Sequence, residues 1–294
     1  MIFIVIPVHN RLEYTRQCLA CLMAQTYRKF RIIVVDDGST DGTDLMIEQE
    51  FPDAVVLRGD GNLWWTEATN WGVRYALQHR RADRRDFVLT LNDDTRVNPD
   101  YLQTLVDAYR RYWPCLVGSP SVDSDNPHKL EYAGSAFELY TAGGRHLAED
   151  YGYDYATLKA RTDHVESGSL PGRGTLIPLE VFDKIGLYDS KKYVHYMSDI
   201  DFSIRARKAG YKLVVSVPSL VYEYVRATGI QVEKKVTLKE FVAGFRSIKS
   251  PTNLKVRYQF ALDHSKTKLL YFCFDVARIC TGFLLRRLRV MKPL

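Results

Sequence analysis

The chain lacks an apolar run that could span a bilayer. Its longest candidate, residues 269–285, is broken by Asp275 and Arg278, whereas a spanning helix needs about twenty mostly uncharged residues. The opening Met1-Ile-Phe-Ile-Val-Ile6 has no basic segment before it and stops at Pro7. It therefore reads as a first buried strand of a cytoplasmic protein rather than a secretory signal. Cysteine is scarce and odd in number, five in all, with Cys18 and Cys21 the only close pair. That count builds no disulfide framework, and a zinc site needs more ligands nearby. The cysteines read as small apolar residues in a reduced interior. No Gly-x-Gly-x-x-Gly turn follows the first strand, which excludes a dinucleotide dehydrogenase. Pro7-Val8-His9-Asn10 is also unlike the Gly-rich phosphate loop that opens a sugar-phosphate nucleotidyltransferase. No internal repeat or low-complexity stretch is present.

What is present suits one large α/β domain with a smaller appendage: 294 residues, 46% of them hydrophobic, enough for a sizeable core. Apolar runs at Ile2–Ile6, Arg31–Val35, Ala54–Leu57 and Phe87–Leu91 alternate with helix-period segments at Leu12–Ala24, Asp44–Glu50, Glu67–Gln78 and Pro99–Tyr112. Such alternation predicts a mostly parallel sheet with right-handed crossovers. After Trp113-Pro114 the regularity fades into short strand-like pieces and a Gly-rich aromatic segment from Tyr140 to Tyr155. A strand over Gly174–Pro178, helices near Leu179–Ile185 and Asp199–Ala209, and a strand over Lys212–Val217 follow. Charge marks the boundary. Residues 231–294 hold 14 Lys and Arg against 4 Asp and Glu, a local +10 within a total of +6. The expected division is a catalytic domain over 1–230 and a helical basic region over 231–294, with helices near Leu238–Phe245, Asn253–His264 and Lys266–Val290.

The chemistry gathers at predicted strand ends, where open α/β sheets bind ligands. Asn92-Asp93-Asp94 follows the fourth strand directly. Two carboxylates there are costly to leave unpaired and suit a divalent cation on a diphosphate. The first strand delivers Pro7-Val8-His9-Asn10-Arg11 and the second delivers Asp36-Asp37-Gly38-Ser39-Thr40-Asp41-Gly42. Asp37 can accept a pyrimidine imide N–H, and His9 offers a flat ring. These residues read as a nucleotide site.

The strings Ile-Val-Ile-Pro-Val-His-Asn-Arg, Val-Val-Asp-Asp-Gly-Ser-Thr-Asp-Gly and Leu-Asn-Asp-Asp-Thr, in this order over ninety residues, resemble the family 2 glycosyltransferases of the GT-A fold. The likeness is to the bacterial surface-polysaccharide, rhamnosyltransferase-like members and covers about residues 1–225. It implies a Rossmann-like central sheet flanked by helices and an inverting sugar transfer from a UDP- or dTDP-linked donor. The implied acceptor is a glycan or lipid-linked glycan, with Mn2+ or Mg2+ as cofactor. It places Asp94 on the metal and Asp93 near the ribose, with Asn92 where many members have Asp. The segment Asp60–Asn70 resembles the donor-side loop, giving Asn62, Trp65 and Asn70 as donor contacts, and one of Trp64 and Trp65 is expected to be buried. Met197-Ser198-Asp199-Ile200-Asp201 resembles the family's Glu-Asp-x-Asp motif, which makes Asp199 the catalytic base. Two departures stand out. Ser198 replaces the usual Glu, and Val221-Tyr222-Glu223-Tyr224 stands where many relatives supply a His. Glu223 is the candidate replacement metal ligand. Arg173 and Gly174, in a Gly turn, and Asp201 are placed on the acceptor or diphosphate side. Asp201 and Arg205, at i and i+4, also suit a structural ion pair.

The basic tail has two readings. Residues 266–294, apolar on one side and closed by Arg286-Arg287-Leu288-Arg289, suit an interfacial helix on the anionic inner leaflet, which would make the protein peripheral there. The other reading packs this helix on the catalytic domain or on a second subunit of a homodimer. Aromatics clustered at Tyr271–Phe274 rather than interleaved with cations argue against nucleic acid. A catalytically silent glycan-binding module on the same fold is the rival to an enzyme.

Overall fold

The computed structural model describes residues 1–81, 85–227 and 236–291, without the side chains of 288–291. The chain-order expectation of alternating strands and helices holds through the first half. It runs β1 (Ile2–Val8), α1 (Leu12–Met23), β2 (Phe30–Asp36), α2 (Thr43–Glu50), β3 (Val55–Arg58), α3 (Trp64–His79), β4 (Phe87–Thr90), β5 (Thr95–Val97) and α4 (Tyr101–Tyr112). Next come β6 (Cys115–Gly118), β7 (Ser121–Asp123), β8 (Leu130–Tyr132), β9 (Ser135–Phe137), β10 (Gly144–His146), α5 (Tyr155–Arg161) and β11 (His164–Glu166). Last are β12 (Thr175–Pro178), α6 (Leu179–Ile185), α7 (Ser198–Lys208), β13 (Lys212–Ser216), β14 (Val221–Glu223), α8 (Leu238–Gly244), α9 (Leu254–His264) and α10 (Leu269–Met291).

Eight strands form the main sheet in the order β11-β13-β6-β12-β4-β1-β2-β3. β1 pairs in parallel with β2 and β4, and β2 with β3, so these strands end on the same edge. β1, β4 and most of β2 are buried because helices cover both faces, while the edge strand β3 is half-buried. Leu19, Leu22, Ile47, Leu102 and Leu105 form one layer, and Ala68, Val73, Phe182 and Phe202 the other. The helical spacing of Leu102, Leu105, Val106 and Tyr109 makes α4 a core helix on one side only. The sheet is mixed, since β12 runs antiparallel to β4 and β6, and β11 antiparallel to β13.

Beyond the carboxyl ends lies a second sheet, β5-β14-β7-β8. β5 begins immediately after Asp94, and β14 sets Glu223 opposite Thr95. The irregular region contains the β9–β10 hairpin and α5, whose N-cap Asp154 accepts the Thr157 N–H at 2.7 Å.

The expected boundary near residue 230 lies outside the described residues. α9 packs on α7 through His264, whose Nε2 lies 2.8 Å from Asp201 Oδ1. The acid that interrupts the apolar run of α10 faces inward, where Asp275 is 2% exposed and pairs with Arg257 of α9 at 3.2 Å. Tyr271, Ile279 and Phe283 are buried on this side, while Leu269, Leu270, Phe274, Leu284 and Leu285 are exposed. Among the described residues no helix is long and apolar enough to cross a membrane.

Candidate active site

At the end of β4 the chain turns so that Asp93 and Asp94 both face Arg11 from the end of β1. Arg11 Nη1 donates to Asp94 Oδ2 at 2.7 Å and to Asp93 Oδ1 at 3.3 Å, and its Nη2 donates to the Ala227 carbonyl at 2.9 Å. Both carboxylates are about 95% buried. Asp93 Oδ2 is buried with no hydrogen-bond partner. Burial pushes the Asp93 carboxyl up to about 7; Arg11 offsets part of that effect and the Asp94 charge adds to it. An acidic pair carrying one guanidinium and one unsatisfied oxygen is prepared for a further cation.

The other strand ends converge on the same edge. Exposed His9 places Nδ1 2.6 Å from the Asp37 carbonyl oxygen, and Asn10 Nδ2 lies 3.2 Å from His9 Nε2. Asn10 Oδ1 accepts the Thr40 N–H at 2.7 Å. The structure refines the expectation for Asp37. Its carboxylate accepts the backbone N–H groups of Gly61, Leu63 and Trp64 at 2.8, 2.9 and 3.0 Å. It therefore fixes the loop that opens α3, and of its two oxygens Oδ1, with a single N–H, keeps the larger spare acceptor capacity. Pro7 is half-buried and Asn62 exposed.

Asn70 is also corrected. It is 1% exposed, and its amide donates to the Tyr188 carbonyl at 2.9 Å and accepts the Tyr188 N–H at 3.1 Å. Both of its functions hold the backbone at Tyr188 to α3, so none remains for a ligand.

Trp65 connects the two halves of the site. Its Nε1 donates to Asn92 Oδ1 at 3.0 Å, and its ring fills the space beside Gly172, where a Cβ would come 2.1 Å from Cζ2. Gly172 N–H in turn donates to Asp199 Oδ2 at 3.2 Å. One indole thus lies between the Asn92-Asp93-Asp94 turn and Asp199. Neither tryptophan is buried outright: Trp64 is also half-buried, edge-on to His195 at 5.8 Å, with Lys249 5.7 Å from its ring centre.

Asp199 sits in the first turn of α7, its Oδ1 accepting the Ile200 N–H at 2.9 Å. Burial holds its carboxyl above the usual range, and the two amides and Arg173 only partly counter this. A carboxylate made more basic in this way is a better proton acceptor.

Three expectations on the acceptor side change. Glu223, anticipated as a metal ligand, is buried and ion-paired with Arg173, so its charge is already matched. Asp201 is 4% exposed and held between Arg205 at 2.8 Å and His264. It serves the structural pair that its spacing allowed. Gly174 has a positive φ of 74° and is packed so that a Cβ would meet Tyr101 Oη at 2.8 Å, which makes it a crossing point under the site. His195 was not anticipated. Its Nδ1 is buried without a partner, and burial, then the charges of Arg11 and Lys249, lower its basicity. The aromatic string Tyr193-Val-His-Tyr196 just before the Asp199 motif was its only signal.

A family model for glycosyl transferase family 2 matches residues 3–185. The chain belongs to this family. Among curated relatives, the N-acetylglucosaminyl-diphospho-decaprenol L-rhamnosyltransferase of Mycobacterium tuberculosis is 28% identical over 225 residues, 72% of each chain. An uncharacterized glycosyltransferase of Rickettsia typhi is 27% identical over 199 residues, 66% of this chain and 56% of that one. The GT-A-like architecture is shared with GalNAc-T7, crystallised with UDP, GalNAc and Mn2+ (TM-score 0.60, 16% identity, 94% of this chain and 54% of that one). It is also shared with S. aureus TarS (TM-score 0.57, 15% identity, 96% and 42%). The chain thus spans about half the length of these solved proteins. It is a glycosyltransferase by family.

For a family 2 glycosyltransferase the question of a cation follows. Among the described residues no three His, Cys, Asp or Glu side chains are grouped to hold a metal ion. A hard cation on a nucleotide needs only one or two protein carboxylates, with phosphate oxygens and water completing the shell. Asp94 and the unsatisfied Asp93 Oδ2 fit that requirement.

The indole bridge yields a test in this family 2 enzyme. Gly172→Ala forces Trp65 aside, and overpacking of this kind costs about 1–3 kcal/mol. The variant is expected to melt lower and to raise KM for the donor, because Asn92 loses its partner. Thermal unfolding and initial rates measure both, and an unchanged KM would remove Trp65 from the donor site.

Proposed function

We propose that this chain is an inverting, metal-assisted transferase that moves a sugar from a UDP- or dTDP-linked donor to a glycan or lipid-linked glycan in the assembly of a bacterial surface polysaccharide. The observation that carries this reading is the pairing of Asp93 and Asp94 around Arg11 on one side of Trp65 with Asp199 on the other. The diphosphate end of the donor lies against the acidic turn, with the base along Pro7, His9, Asn10 and Asn62. Asp94 and Asp93 would hold Mn2+ or Mg2+, which when bound supplies positive charge against the leaving diphosphate. Arg11 remains beside the pair as a second positive charge. Asp199 takes the proton of the acceptor hydroxyl as its oxygen attacks the anomeric carbon from the face opposite the diphosphate, inverting that centre. Arg173, held by Glu223, sets a guanidinium on the acceptor side.

The rhamnosyltransferase relative supports a deoxyhexose donor and a diphospholipid-linked acceptor. The exposed apolar side of α10, ending at Arg286 and Arg287, supports a peripheral position on the inner leaflet for the region after residue 230. A thermal-shift screen of nucleotide sugars with and without Mn2+ tests the reading. The correct donor raises Tm only when the cation is present, and equal shifts in a chelator would contradict metal assistance.

A further inference from the structure

A cavity of about 730 Å³ lies away from the nucleotide edge, between the β9–β10 hairpin, the C-terminal part of α7 and the α9–α10 junction. Volumes of this order hold small-molecule ligands. Arg207 and Lys208 from α7 and Lys266 and Lys268 from the junction line it. The acids in its wall are already engaged. Glu138 accepts the N–H groups of Tyr140, Thr141 and Gly143. Asp263 accepts from Lys192, Tyr193 and Gln259. Arg207, Lys208 and Lys266 have no ion-pair partner among the described residues, so the cavity carries a surplus of positive charge.

Two further features narrow the ligand. Leu269, Leu270 and Phe274, 57%, 54% and 42% exposed, begin immediately after the cavity-lining Lys268 and give α10 an exposed apolar surface next to it in the chain. The cavity wall is also tied to the catalytic helix. His264 in that wall bonds Asp201, and Arg207 lies eight residues after Asp199 on α7, about 12 Å along the axis at the helical rise. A ligand with a phosphoryl head and an apolar tail satisfies the charge and the apolar surface together. Free phosphate or a soluble glycan leaves the apolar surface unused.

We infer that this cavity binds the diphosphate of an isoprenoid-linked acceptor, with the lipid lying on the Leu269, Leu270 and Phe274 surface and the sugar extending toward Asp199. This rests on the reading of the chain as a transferase to a lipid-linked glycan. The hairpin tip is held for the purpose: Lys266 N–H donates to the Leu139 carbonyl at 2.8 Å, so β9–β10 and the start of α10 form one wall.

The test is calorimetric titration of the full chain with farnesyl diphosphate. The wild type is expected to bind, and the double variant Arg207→Ala, Lys266→Ala to bind at least tenfold more weakly. Arg207→Lys with Lys266→Arg, which keeps both charges, is expected to retain binding. Since both residues are exposed, Tm and donor hydrolysis should be unchanged in each variant. KM for a lipid-linked acceptor rises in the alanine variant while KM for a lipid-free sugar acceptor does not. Equal farnesyl diphosphate affinity in wild type and alanine variant overturns the inference. Inorganic pyrophosphate binding as tightly as farnesyl diphosphate overturns the lipid part. Loss of sedimentation with phosphatidylglycerol vesicles, without loss of farnesyl diphosphate binding, makes the cations a membrane headgroup contact and also overturns it. If no nucleotide sugar is turned over with any acceptor, the proposed reaction fails, and the titration still reports on the cavity independently.

Discussion

Asp199→Asn is expected to lower kcat for sugar transfer by about 10²–10⁴-fold, the usual worth of a positioned general base, with donor affinity unchanged. The amide is nearly isosteric, and with its oxygen accepting the Gly172 N–H the contact through Gly172 to Trp65 survives, at the loss of the bond from the Ile200 N–H. What is lost is the site that receives the acceptor proton. The pH profile sharpens the expectation. Burial raises the Asp199 carboxyl, and only its ionised form is a base. Wild-type kcat therefore falls as pH drops through that raised value, and the residual activity of the Asn variant lacks this limb. Initial rates against pH, with donor affinity measured separately by calorimetry, separate the steps. If KM for the donor moves as far as kcat, Asp199 holds the donor and the base lies elsewhere.

Asp94→Asn is the second large effect. It should reduce kcat/KM at least about 10²-fold, equivalent to about 3 kcal/mol, and abolish the dependence of donor binding on Mn2+. The carboxylate nearest Arg11 disappears, and the guanidinium is left with Asp93 at 3.3 Å. Removing the neighbouring negative charge also lowers the Asp93 carboxyl from about 7, because Arg11 then acts on it alone. Donor titrations with and without Mn2+ measure the loss. Full metal-dependent binding in the variant would place the cation on other groups.

The strand-end loops were legible because a parallel sheet leaves little freedom in where they point. Continuous apolar runs ending in Pro7, Asp36 and Asn92 fixed β1, β2 and β4 to within a residue or two, and with them the edge where the acidic turn sits. The family motifs placed Asp93, Asp94 and Asp199 in order along the chain. Roles set by distant backbone were not readable. Asn70 and Asp37 look like ligand contacts, yet they spend their hydrogen bonds on Tyr188, 118 residues away, and on the Gly61–Trp64 turn. Glu223 looked like a spare ligand because nothing local shows that Arg173, fifty residues earlier, reaches it. The antiparallel insertion of β12 and the inward turn of Asp275 are likewise tertiary, since each depends on an element that only packing brings near. α5 was a missed local signal: Asp154 followed by Thr157 is an N-cap, hidden in an aromatic, Gly-rich stretch.

A crystal of the protein grown with Mn2+ and a non-hydrolysable nucleotide-sugar analogue decides whether the acidic turn and the α7 carboxylate serve one reaction. The expected density places Mn2+ between Asp94 and the diphosphate, with the anomeric carbon on the Trp65 side and Asp199 facing it across the space for one acceptor hydroxyl. Phosphates bound away from Asp93 and Asp94, or an Asp199 carboxylate on the same face of the sugar as the diphosphate, would contradict it.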